Sequence, residues 1–164
     1  GQVIGDTNAA AFIASVLSES MPVYLLPTAT FILAAGTAFA TGTSFGTMGI
    51  LIPLVVPLAV TMSGDAMGPI CYASTAAVLA GACLGDHASP ISDTTVLSAI
   101  GARVDLIVHM RTQLPYALTT GLISIVAGYI PVSLGASPWV ALPLGIVLSV
   151  GTVMVVGRRV PEPV

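Results

Sequence analysis

Apolar and polar positions along the chain fall in blocks rather than in alternation. Apolar stretches occupy residues 22–40, 48–60, 69–84, 112–130 and 139–157. A helix needs about 20 apolar residues to cross a hydrocarbon core. The stretches 22–40, 112–130 and 139–157 have 19 residues each and no charge, so each predicts an ordinary span. The stretches 48–60 and 69–84, with 13 and 16 residues, are short for a crossing. Each short stretch abuts a segment rich in Gly, Ser and Thr. Thr41–Thr47 (TGTSFGT) precedes the first, and Gly85–Thr95 (GDHASPISDTT) follows the second. The pattern predicts a break over 41–47, a half-helix over 48–60, a half-helix over 69–84, a break over 85–92 and a half-helix over 93–101. Non-helical backbone at membrane depth is tolerated only where protein buries it or a polar cavity lines it. Interrupted apolar segments of this kind point to a transporter's binding site. At the start, Asp6 or Thr7 caps a predicted helix within 1–20 whose Phe12, Ile13, Val16 and Leu17 share one face. That helix reads as interfacial or bundle-packing.

Composition sharpens the class. The chain is 55% hydrophobic and 7% charged, against roughly a quarter charged in soluble domains. The fold class is therefore all-α and integral to a membrane, a polytopic bundle with two discontinuous or re-entrant helices, and the partner is the lipid bilayer. There is no lysine, and the four arginines are Arg103, Arg111, Arg158 and Arg159. No basic stripe exists for a nucleic acid. Cys71 and Cys83 fit neither a CxxC pair nor a disulfide framework and read as small apolar fillers. The first residues lack an initiator Met and a basic segment, so they do not read as a signal peptide. An upstream part of a longer protein, or a homo-oligomer, is expected to complete the bundle. Arginine sets the orientation: Arg103–Arg111 and Arg158–Arg159 are expected in the cytoplasm. The uncharged loop 131–138 and the loop around Asp65 are expected outside, with Tyr129 and Trp139 at the outer interface. Residues 69–102 then form one interrupted passage inward.

The candidate chemistry lies in the two breaks. Gly85 reads as the end of a half-helix, which leaves Asp86 beside the negative end of the helix dipole and at membrane depth. A charge there is unfavourable by at least about 2.5 kcal/mol. A bound cation or proton removes both penalties, and neutralisation by His87 is the bland alternative. Asp93, or Ser92 before it, stands where a helix N-cap belongs, so capping alone accounts for an acid there. His87 suits polar support or proton handling, since a transition-metal site needs three or four ligands. Thr43, Ser44 and Thr47 supply hydroxyls, and Gly42 and Gly46 let the backbone turn carbonyls inward. Hydroxyls, open carbonyls and a carboxylate suit a hard cation, although small residues also serve helix packing. Asp105 and His109, four apart, read as a solvated cytoplasmic face.

The strings FATGTSFGTMGILIPL (39–54) and GACLGDHASPISDTTVLSA (81–99) resemble the NhaC-type sodium/proton antiporter family, within the broader grouping of ion transporters with re-entrant hairpins. The likeness runs from about Pro22 onward. Members are much longer, so it implies the C-terminal third to half of a transporter. It implies a cation site built from Asp86, His87, Ser89, Ser92, Asp93 and Thr94, with Thr43 and Ser44 from the other break. Such a protein is a multi-pass transporter of the cell membrane and not an enzyme, with no cofactor beyond transported Na⁺ and H⁺. The leading expectation is Na⁺/H⁺ antiport, with Asp86 as the exchanged carboxylate and His87 handling protons. Exchange coupled to organic acids such as malate and lactate, a metal-dependent intramembrane hydrolase using Asp86, His87 and Asp93, and an inactive truncated remnant stand as alternatives.

Overall fold

The computed structural model describes residues 21–157. The predicted helix in 1–20 and the arginines Arg158 and Arg159 lie outside the described residues. A 3₁₀ turn, Val23–Leu25, leads into α1 (Leu26–Thr41), followed by α2 (Ser44–Ser63), α3 (Pro69–Ala88) and α4 (Asp93–Ala102). Helix α5 (Leu106–Ile123) runs through a π segment (Ser124–Tyr129) into α6 (Ile130–Ser133), and α7 (Pro138–Val156) ends the described chain. Among the described residues five helices are long and apolar enough to cross a membrane, and the protein is a multi-pass membrane protein.

The first interruption is much tighter than the pattern suggested. It comprises Gly42, in the left-handed conformation at φ 68°, and Thr43, whose side chain accepts a hydrogen bond from Gly46 N. Ser44 already belongs to α2, which has 20 residues and is therefore a full span rather than a half-helix over 48–60. Apolar counting stopped short because a capped first turn accepts Ser, Gly and Thr, its free N–H groups being met by the cap. The second interruption is also shorter. Helix α3 does not stop at Leu84 but continues through Gly85 to Ala88, which leaves Ser89–Ser92 as the break. Helix α5 starts at Leu106, six residues before the apolar stretch, because Asp105 caps it through Ile107 N and Val108 N.

Helix α3 is the centre of the bundle: 44% of its membrane-length window is buried, against 6% for α7. It packs parallel to α1 and antiparallel to α2. One layer joins Leu26, Leu58, Ala59 and Cys71, and the next joins Ala34, Leu51, Val55 and Val78. The α1–α3 contact depends on missing side chains. A Cβ on Gly81 would lie 2.4 Å from Phe31 O, and one on Gly85 would lie 2.0 Å from Ala35 O. Gly85 is thus a packing residue and not a helix terminator, because a Gly81-xxx-Gly85 face lets two backbones meet. Gly121 of α5 packs against Leu84, and the Tyr129 and Phe31 rings meet tilted by 40° with centroids 5.1 Å apart. The loops 64–68 and 134–137 therefore share one end of the bundle, and the turn 103–105 lies at the other.

Candidate cation and proton site

The ends of α1 and α3 and the start of α2 meet at the end of the bundle opposite the 64–68 loop. There the two breaks touch. Ser89 Oγ donates to Phe39 O at 2.7 Å, and a Cβ on Gly42 would meet Ile91 at 2.9–3.0 Å. The Phe39 carbonyl belongs to the last turn of α1, where carbonyls lack helical partners. Ser89 also accepts from Ile91 N, so its hydroxyl ties the breaks together.

Asp86 lies in the last turn of α3 and is only 8% exposed. Its Oδ1 accepts a 2.7 Å hydrogen bond from Ser92 Oγ, across the break. Ser92 Oγ is also 2.7 Å from Thr94 Oγ1. Ser92 has a single hydroxyl hydrogen, which goes to the carboxylate, so Thr94 is the donor of the second bond. The result is a hydroxyl chain, Thr94 to Ser92 to Asp86. The second carboxylate oxygen of Asp86 takes no protein donor among the described residues. That oxygen is left able to accept from a further donor or to meet a cation.

The remaining predicted residues divide. Asp93 is exposed at the first position of α4, with Ser92 as N-cap, and its Oδ1 accepts from Thr94 N at 2.8 Å. It complements the helix dipole rather than joining Asp86. Thr43 is engaged as the α2 cap, and no hydrogen bond joins Thr43 or Ser44 to Asp86 among the described residues. The buried hydroxyl of that corner is Thr47, 1% exposed, which donates to Thr43 O at 2.9 Å. Thr41 donates to Thr37 O at 2.9 Å, and the two threonine oxygens stand 3.4 Å apart. With both hydrogens directed to carbonyls one turn back, each hydroxyl oxygen keeps lone pairs able to accept.

His87 is bonded to Gln113 of α5 rather than to Asp86. Its ring Nε2 meets Gln113 Nε2, and its carbonyl accepts from Gln113 Nε2 at 3.0 Å and from Thr95 Oγ1 at 3.3 Å. Gln113, Thr95 and Thr41 were not among the predicted site residues. A lone amide inside an apolar stretch was the available signal for Gln113, while the partners of Thr41 and Thr95 depend on helix boundaries. Among the described residues no three His, Cys, Asp or Glu side chains gather as a metal site. Asp86, His87 and Asp93 point to different neighbours, which is unlike a hydrolase centre.

Comparison with known proteins covers the segment in which this cluster lies. The family model of the Na⁺/H⁺ antiporter family matches residues 1–132. A Haemophilus influenzae protein is 41% identical over 131 residues, 80% of this chain and 24% of that protein. The malate-2H⁺/Na⁺-lactate antiporter of Bacillus subtilis is 34% identical over 105 residues, 62% of this chain and 21% of its own length. An uncharacterized Na⁺/H⁺ antiporter of Haemophilus influenzae is 34% identical over 116 residues, covering 68% and 24%. The chain spans about a quarter of the length of these curated relatives. No solved structure matches it. With its two contacting helix breaks inside the matched region, the chain belongs to the Na⁺/H⁺ antiporter family.

Proposed function

We propose that this chain carries the exchange site of a secondary antiporter that moves Na⁺ against H⁺, with Asp86 as the group that binds either ion but not both. The observation that carries the reading is the Asp86 carboxylate, nearly buried and holding one hydroxyl donor and one free oxygen. A carboxylate in that state is stable when protonated or when paired with a cation. Mutually exclusive occupancy couples the two fluxes by competition. Ser92 and Thr94 orient the carboxylate, Thr41 and Thr47 offer oxygens at the touching corner, and Ser89 holds the two breaks in register.

The test uses the protein as its gene encodes it, in everted membrane vesicles energised to an acid interior. Added sodium should collapse the pH gradient in wild type and not in Asp86→Asn. The apparent KM for sodium should rise as pH falls, because a protonated carboxylate cannot take the cation. Collapse that survives Asp86→Asn, or a sodium KM flat with pH, would refute Asp86 as the shared site. The Bacillus relative's name favours a second reading, in which an organic acid moves as well. An organic anion commonly recruits an arginine, whereas Arg103 and Arg111 are exposed and bond none of the cluster residues. A sodium response that appears only with malate or lactate present would move the assignment to that reading.

A further inference from the structure

Among the described residues, Gln113 is the α5 side chain hydrogen-bonded to the last turn of α3, and the acceptor it faces decides which way its amide is turned. Its Nε2 is 3.0 Å from the His87 carbonyl oxygen and is bonded as well to the His87 ring nitrogen Nε2. A carbonyl oxygen can only accept, so the Gln113 atom facing it must be the amide nitrogen. Turning the amide over would set two carbonyl oxygens against each other. Thr95 Oγ1 approaches the same carbonyl from α4, which fixes its accepting role a second time. The amide nitrogen has two hydrogens and no available lone pair. One hydrogen meets the carbonyl, and the other meets the ring nitrogen, which therefore accepts and bears no proton. We infer that Gln113 is a positioning residue that holds the neutral His87 ring as its Nδ1–H tautomer.

The consequence for transport concerns the route of a proton past Asp86. While Gln113 is in place, His87 Nε2 is closed, and the ring presents only its Nδ1–H to other groups, as a donor. This consequence rests on the exchange reading, but the tautomer does not. A hydrogen-bond partner that orients a functional histidine acts through it, in the way that outer partners orient the histidines of metal sites.

The experiment is nuclear magnetic resonance on the full protein in lipid bilayers, with histidine ring nitrogens isotopically labelled, at alkaline pH where imidazole is neutral. His109→Gln removes the other histidine of this chain, and the His87 signals are assigned as those lost in His87→Asn of the same full protein. Wild type should show a protonated Nδ1 and a bare Nε2 at His87. Gln113→Met keeps the length of the side chain without its donors. It should shift His87 toward the Nε2–H form and lower the maximal sodium-dependent rate about tenfold with the sodium KM unchanged. An Nε2–H ring in wild type, or an Nδ1–H ring retained in Gln113→Met, would overturn the assignment. A tautomer shift with no loss of rate would overturn its role in transport. Should Gln113→Met not fold, the wild-type spectrum decides alone. A wild type that holds the Nδ1–H ring but exchanges no sodium would keep the assignment and defeat the exchange reading.

Discussion

Ser92 has one hydroxyl hydrogen and stands between Thr94 and a buried carboxylate, so its removal leaves Asp86 without a donor among the described residues. A hydrogen bond to a charged group contributes about 1.5–3 kcal/mol. Ser92→Ala should therefore weaken sodium binding by roughly tenfold or more, read as a rise in apparent KM with protein level unchanged. A KM equal to wild type would show that the hydroxyl chain plays no part in ion binding. At this scale much of the site was legible from the order of residues. Asp86, Ser92 and Thr94 lie within nine positions, and one carboxylate among hydroxyls already suggests a hard cation. Asp93 was ambiguous for a physical reason, since an acid at a helix start satisfies capping and the dipole whether or not it binds an ion. The partner of His87 was not legible, because Gln113 is 26 residues away and only the α3–α5 contact brings it near.

The helices that carry these residues are held by close backbone approach, and α1 against α3 is the tightest case. A Cβ at position 85 would overlap the Ala35 carbonyl at 2.0 Å, while one at Gly36 meets nothing within 4 Å. Gly85→Ala should destabilise by about 1–3 kcal/mol or more through forced separation of the two helices. Gly36→Ala should be neutral or stabilising by up to about 1 kcal/mol, because alanine favours a helix interior. Thermal unfolding of the two variants in mild detergent checks the contrast, and equal melting points would remove the packing account. The same glycine explains a misread boundary. Glycine next to polar residues suggests a helix end, but here a neighbouring helix occupies the space of its side chain. Likewise Thr41–Thr47 looked like seven irregular residues and is a two-residue corner followed by a capped helix. Apolar runs locate the lipid-crossing part of a helix and say little about its polar first and last turns.

Across the whole molecule, helix directions put the loops 64–68 and 134–137 on one side and the turn 103–105 on the other. In a full-protein background with Cys71, Cys83 and every other cysteine replaced by serine, Ala66→Cys and Ala136→Cys should react with a membrane-impermeant maleimide from the same side. Val104→Cys should react only from the opposite side. Ala66 and Ala136 labelling from opposite sides would contradict the helix order. Between α3, the π segment and α7 lies a cavity of about 830 Å³ lined by Ala73, Ala76, Tyr129, Ala141 and Gly145. The sequence by itself determined the class, the five apolar stretches around which the membrane-length helices form, and the two polar segments beside them. Each of these follows from hydropathy, helix length and the unfavourable transfer of charge out of water. Only the tertiary structure decided that the two interruptions touch, that Gly85 packs instead of ending a helix, and that His87 faces Gln113. Those outcomes depend on which helices lie parallel and how closely they approach, and contacts between residues dozens of positions apart leave no local trace in the chain.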